Sequence, residues 1–245
     1  MELCVNGLTI EYTSNGSVVR PVSSFNLRAT SGSVVVLLGP NGCGKTSLLS
    51  CLAGILTPKQ GRMRFGDVDI ATLRGKALTS YRRRTVGIAF QAFNLIPSLT
   101  ALENVMVPLR NGGMKRRQAR ARASGLLWQV GLGERPHARP GAMSSGQQQR
   151  VAIARALGFD PPMFLADEPT AHLDYLQVDG VMRLLRTLAN DDRLVVIATH
   201  DQRVLSLADQ IIELVPAHGH ESPAPERTTI AAGSARVTTR FVRST

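Results

Sequence analysis

No apolar run in this chain comes near the ~20 residues that a membrane-spanning helix needs. The longest, such as Leu194 to Ala198, are the length of a strand. A charged stretch followed by an apolar one does not open the sequence, so no secretory signal is read there and a cytoplasmic protein is expected. Cysteine is scarce. Cys4, Cys43 and Cys51 make an odd count without metal-ligand spacing, which fits a reducing compartment. Aromatic residues supply only 4% of the chain, yet the apolar fraction is ordinary and 245 residues suffice to bury a substantial core. Acidic residues are missing chiefly from the middle. From Arg62 to Arg155, 17 Lys and Arg face four Asp and Glu, a local balance of +13 against +11 for the whole chain. Two clusters dominate: Arg82-Arg83-Arg84, and Lys115-Arg116-Arg117 with Arg120 and Arg122. Such a surface suits nucleic acid, anionic lipid headgroups or acidic loops of a partner, or is simply a solvated helix face.

What the chain does contain is a phosphate-binding pattern. Gly39, Pro40, Asn41, Gly42, Cys43, Gly44, Lys45 and Thr46 match G-x-x-x-x-G-K-[ST]. The apolar run Val34 to Leu38 before them reads as a buried strand, and Ser47 to Ala53 after them reads as a helix. That context is the one the motif requires. Glycines let backbone N–H groups turn inward around phosphate oxygens, and the helix adds its positive end. Lys45 brings a point charge to the outer phosphates, and Thr46 a hydroxyl for magnesium. Cys43 fits the loop as a small residue. A second reading makes it a redox-sensitive thiol, since a helix N-terminus lowers a thiol pKa.

Around this motif the pattern alternates. Leu3 to Tyr12 and Val18 to Leu27 read as strands joined by the turn Ser14-Asn15-Gly16, and Met63 to Ile70 is extended. Val86 to Phe90, Met163 to Ala166 and Leu194 to Ala198 read as short buried strands. Helices are expected at Met114 to Val130, Val151 to Leu157 and Tyr175 to Ala189. Strand–helix alternation implies a parallel sheet with an arginine-rich helical block, about 92–158, inserted into it. Residues 217–245, rich in Pro, Ala, Ser, Thr and Arg, read as a flexible basic tail after a domain spanning 1–216.

In a parallel sheet the strand C-termini share one edge, so the residues that follow them meet in one crevice. Asp167 and Glu168 end one strand. Asp167 suits magnesium through a water, and Glu168 can accept a hydrogen bond from an attacking water. Gln91 and His200 follow two other strands and reach the same edge. The segment Met143-Ser144-Ser145-Gly146-Gln147-Gln148-Gln149-Arg150 precedes the helix expected at Val151 to Leu157, and serine and glycine at a helix start offer N–H donors and hydroxyls suited to an anion.

Taken together these residues resemble the nucleotide-binding domain of ABC transporters over about 3–215. GPNGCGKT is similar to its Walker A loop, Phe90-Gln91 to the Q-loop and MSSGQQQR to the signature. FLADEPT is similar to Walker B, Ala171 to Asp174 to the D-loop, and ATHD to the H-loop. Tyr12 falls where the family places an aromatic that stacks on adenine. The strings YRRRTVGIAFQAFNLIPSLTALENVMVPL and MSSGQQQRVAIARAL look most like the MacB/LolD/FtsE group, whose members move substrates from the outer leaflet or periplasm by mechanical coupling, or regulate cell-wall enzymes.

The resemblance implies an α/β P-loop NTPase: a parallel RecA-like core sheet, an antiparallel β subdomain and an inserted helical signature subdomain. It implies a Mg2+-dependent ATPase that dimerises head to tail around two ATP. Residues Gly39 to Ser47 would wrap the nucleotide, with Thr46, Gln91 and Asp167 serving Mg2+. Glu168, His200, Lys45 and Gln91 would carry the chemistry. Ser144, Ser145, Gly146 and Gln147 would act on the partner's ATP, and Asp174 would couple the sites. A separately encoded membrane permease would be the partner, engaged near Glu103, with the protein peripheral on the inner face of the membrane and no specific nucleic acid bound. Two positions depart from the pattern. Ser145 replaces the first glycine of LSGGQ, where a side chain crowds the γ-phosphate or needs a φ that serine disfavours; slowed hydrolysis is expected, relieved by Ser145→Gly. His172 stands in the D-loop where a small residue is commoner. The alternative weighed against transport is a soluble ABC ATPase acting on nucleic acid or regulating cell-wall enzymes.

Overall fold

The computed structural model describes residues 1–14, 17–215 and 237–241. A long antiparallel hairpin opens the chain, β1 (Glu2–Ser14) with β2 (Ser17–Thr30), and Asn15 and Gly16 of the expected turn lie outside the described residues. Next come β3 (Val34–Leu38) and α1 (Lys45–Leu52). β4 (Gln60–Phe65) and β5 (Val68–Asp69) return to the hairpin, completing an antiparallel sheet of order β2-β1-β4-β5. After α2 (Gly75–Arg84) and β6 (Val86–Ala89), the chain enters its helical stretch: α3 (Ala101–Asn111), α4 (Arg116–Gln129) and α5 (Ser145–Ala156). It then alternates through β7 (Met163–Asp167), α6 (Tyr175–Asn190), β8 (Leu194–Thr199) and β9 (Gln210–Leu214).

The second sheet has the order β10-β9-β3-β8-β7-β6, where β10 is Val237–Phe241. β6, β7, β8, β3 and β9 are mutually parallel; β10 runs against β9. Its central strands are apolar throughout because both faces are covered. Val35 and Leu37 of β3, Leu165 of β7 and Val196 of β8 face a core shared with α1 and the antiparallel sheet, around Phe25, Met63 and Phe65. Their neighbours Val34, Val36, Phe164, Ala166, Val195 and Ile197 face the other way, onto Val105, Leu126, Ile153 and Leu185 of the helices. A strand with two dry faces cannot alternate polar with apolar.

β10 corrects the reading of 217–245 as an uninterrupted flexible tail. Val237 to Phe241 pair residue by residue with Leu214 to Gln210, capping what would otherwise be an open parallel edge. Val-Thr-Thr-Arg-Phe has the β-branched and aromatic content of a strand, hidden by the Pro- and Ala-rich composition around it. The rest of that tail lies outside the described residues.

Candidate nucleotide-binding and catalytic site

The parallel register brings the strand ends level: Leu38 pairs with Thr199, Asp167 with Ala198, and Ala89 with Ala166. The residues one or two positions beyond them therefore meet. From β3 the chain turns sharply into α1 through Gly44, whose φ is 99°. A Cβ there would stand 2.7 Å from Val22 Cγ2 and 2.9 Å from Pro21 O, so only glycine permits the turn at this depth. Lys45 is 5% exposed. Its ammonium donates to Gly39 O (2.7 Å) and Pro40 O (3.0 Å) and stands 3.4 Å from Glu168 Oε1. A charge this deep needs such partners, or an anion, to stay ionised.

Thr46 Oγ1 donates to Asp167, 2.9 Å from Oδ2 and 3.2 Å from Oδ1. Burial raises the Asp167 carboxyl above its ordinary range, opposed by the Thr46 hydrogen bond and Lys45 and reinforced by the neighbouring charge of Glu168. Glu168 takes a left-handed φ of 45°, sparsely populated for a non-glycine residue and further restricted by Pro169. That twist swings its carboxylate toward β8. There Oε2 accepts from Thr199 Oγ1 (3.0 Å) and His200 N–H (3.3 Å), with His200 Nδ1 also at 3.0 Å. Oε1 is buried and makes no hydrogen bond. With Oε2 committed to β8 and Oε1 paired with the Lys45 ammonium at 3.4 Å but accepting no hydrogen bond, this carboxylate has room for one further donor, and water is the smallest.

Tyr12, Asn41, Gly42, Lys45, Thr46, Gln91 and Glu168 line one cleft of about 140 Å3. Among the described residues no cluster of three or more His, Cys, Asp or Glu has metal-binding spacing. A magnesium ion would lean on phosphate oxygens, Thr46 and Gln91, with the acidic pair behind it, and the adjacent buried carboxylates of Asp167 and Glu168, one oxygen of which accepts no hydrogen bond, fit such an ion.

The signature residues stand apart. Among the described residues none of Ser144 to Gln147 lines that cleft. Ser144 caps α5 in a reciprocal box with Gln147: Ser144 Oγ accepts Gln147 N–H and Gln147 Oε1 accepts Ser144 N–H. Ser145 is the first helical residue and has no positive φ, so the conformational half of the objection to serine is corrected. Asp174 caps α6 by accepting Gln177 N–H at 2.9 Å.

Cys43 is 2% exposed, and burial pushes its thiol up despite the nearby Lys45. That argues against the redox reading, because a buried thiol held above its ordinary pKa is neither exposed nor a thiolate. Sequence reasoning also missed two supporting residues. Thr199, which fixes Glu168, lay inside the ATHD string but was passed over for its histidine. Arg155 donates to the carbonyls of Phe93 (2.7 Å) and Asn94, both left-handed and just after Gln91. Its only sequence signal was an arginine on an otherwise apolar helix face. Phe93 also meets His172 edge-on, ring centroids 5.7 Å apart, joining the Gln91 loop to the Asp174 loop.

Phosphate loop, paired carboxylates and strand-end histidine on a parallel sheet define a P-loop nucleotide hydrolase. The pattern of the ABC transporter family matches residues 22–171, and the chain belongs to that family. It is 59% identical over 231 residues to an ABC transporter ATP-binding protein of Mycobacterium tuberculosis, 94% of this chain and 70% of that one. To the lipoprotein-releasing system ATP-binding protein LolD of Geobacter metallireducens it is 41% identical, covering 86% of this chain and 94% of LolD. To the macrolide export ATP-binding/permease protein MacB of Hyphomonas neptunium it is 39% identical, over 84% of this chain and 32% of that longer protein. In three dimensions it is similar to the ATP-binding cassette MJ0796 in its dimeric, post-hydrolysis state with ADP and Pi: TM-score 0.79, 35% identity, 88% of this chain and 97% of that one. The chain is thus an ATP-binding and ATP-hydrolysing ABC transporter protein with the ABC-type α/β fold. Neither a nucleic-acid role nor cell-wall regulation gains support from these relatives. Among the described residues no helix is long and apolar enough to cross a membrane.

Proposed function

We propose that two copies of this chain close head to tail around two ATP and drive a separate membrane permease of the kind that LolD and MacB serve, from the inner face of the membrane. The observation that carries this reading is the separation of two anion-ready surfaces. The cleft at Lys45 offers the phosphate loop, while the N-terminus of α5 offers Ser144 to Gln147 without reaching that cleft. A second copy would supply what each cleft lacks.

In the closed state Tyr12 would pack on the base, and the N–H groups of Gly39 to Ser47 would cradle the phosphates. Lys45 would exchange its loop carbonyls for β- and γ-phosphate oxygens. Bound Mg2+, held by Thr46 and Gln91 with Asp167 behind a water, would neutralise phosphate charge. Glu168 would use Oε1 to orient and deprotonate the water that attacks the γ-phosphorus. His200, 53% exposed, would leave its 3.0 Å contact with Glu168 Oε2 to bring its ring to a γ-phosphate oxygen. Beside the Gln91 loop, a groove of about 570 Å3 runs between α2, β6, α3 and α5. Ile88, Phe90, Val107, Pro108 and Phe159 give it an apolar floor, with Arg82, Arg83 and Arg155 among its polar walls. Such a groove suits an amphipathic permease helix with acidic flanks, and α3, which carries Glu103, forms one side.

The test is Glu168→Gln in light scattering with and without Mg-ATP. A shift from monomer to dimer supports the composite site; a persistent monomer at millimolar Mg-ATP would overturn the homodimer.

A further inference from the structure

Gln177, in the first turn of α6, lies directly against the signature. Its Oε1 accepts the N–H of Gly146 at 2.6 Å, and its Nε2 donates to Asp174 Oδ2. Asp174 Oδ1 meanwhile accepts the Gln177 backbone N–H. This orientation of the carboxamide is the only one that satisfies both neighbours: reversed, it would face NH2 against N–H and oxygen against carboxylate. The approach is so close that a Cβ on Gly146 would overlap the Gln177 amide oxygen. One turn further along both helices the contact is repeated. Arg150 of α5 lies over Gly180 of α6, where a Cβ would collide with the guanidinium, and also donates to Val130 O. α5 and α6 therefore approach closely at Gly146 and Gly180, and Gln177 sits at the end of that contact nearest the signature.

We propose that Gln177 is a positioning residue that occupies the Gly146 N–H in the free protomer and must give it up when the partner's ATP arrives. The proposal rests on the composite-site reading above. An N–H carries one proton, so a phosphate oxygen can take this donor only by displacing Oε1. Displacement turns the carboxamide away and withdraws its NH2 from Asp174, leaving Oδ2 free to accept a donor across the dimer seam. Binding at the signature and release of Asp174 are thus one event, transmitted through a single side chain. Gln177 makes dimer closure costlier in ATP and, in return, delivers Asp174 only when phosphate is present.

The test measures the ATP concentration at the midpoint of dimerisation, in the Glu168→Gln chain at fixed excess Mg2+, by light scattering. Gln177→Ala and the near-isosteric Gln177→Met both remove the competing acceptor. Each should lower the midpoint about five-fold, the equilibrium weight of one neutral hydrogen bond. Gln177→Glu puts a second carboxylate beside Asp174 and in the path of the phosphate, and should raise it. With Glu168 intact, Gln177→Met should lower KM for ATP about five-fold while kcat stays within two-fold, a split that loss of fold does not produce. If the parent fails to dimerise, the composite site itself falls. If the parent dimerises and the Ala and Met midpoints stay within two-fold or rise, or the Glu midpoint falls, Gln177 does not compete for the signature.

Discussion

Replacing Thr199 by valine deletes one hydroxyl from a fully buried position and leaves the side chain's shape almost unchanged. That hydroxyl donates to Glu168 Oε2 and accepts the N–H of Asp201, both at 3.0 Å. A hydrogen bond to a charged group is worth about 1.5–3 kcal/mol and a neutral one about 1 kcal/mol. The added methyl returns about 0.8 kcal/mol. The net loss of about 2–3 kcal/mol should lower Tm by about 4–12 °C in a chain of this length. The catalytic effect is separable. Glu168 Oε2 keeps the His200 N–H at 3.3 Å and loses the donor that fixes its angle, so the carboxylate stays in the site but wanders. About a ten-fold fall in kcat, 1.4 kcal/mol of transition-state stabilisation, is expected with KM for ATP unchanged. Phosphate release at saturating Mg-ATP, at a temperature where circular dichroism shows the variant folded, measures it. Thr199→Ser, which keeps the hydroxyl, should retain at least about half the rate of the native chain on the same hydrogen-bond reasoning. A kcat within two-fold of native for folded Thr199→Val would refute the claim that this hydroxyl positions Glu168.

Two further expectations concern pH and thiol chemistry. The Asp201 carboxyl is held at about 2, chiefly by hydrogen bonds from Arg203 against the cost of burial, with Thr170 adding to them. Its folded value lies below the ordinary 3.8, so the stability it contributes is complete above about pH 4 and disappears as pH falls toward 2. Asp201→Asn should therefore be less stable at neutral pH and lose less between pH 5 and 2, as urea midpoints across that range would reveal. Burial also pushes the Cys51 thiol up to about 12 and raises that of Cys43. In the native chain at pH 8 both should resist iodoacetamide and react promptly in denaturant; rapid native labelling of Cys43 by mass spectrometry would restore the redox reading.

The phosphate loop, the buried strands and the capped helix at Ser144 were legible along the chain because each rests on neighbours within a few residues. Gly44 must turn the backbone where it stands, and Ser144 and Gln147 complete their box without help. Val34 to Leu38 read as a core strand because burial on both faces leaves a continuous apolar run. What folding alone decided are meetings between distant residues. The β-strand at Val237 to Phe241 was obscured because its partner, the open edge of β9, exists only once the sheet is assembled. Thr199 acquires its purpose from a carboxylate that a left-handed φ at Glu168 aims across to β8. Packing beneath the loop sided with Cys43 as a small loop residue rather than a reactive thiol, and Gln177 gained its place from the close approach of α5 and α6. Sequence settled which groups this ATPase possesses, since those are set by local chemistry. Tertiary structure decided which of them touch, since a hydrogen bond acts over 3 Å whatever the separation along the chain.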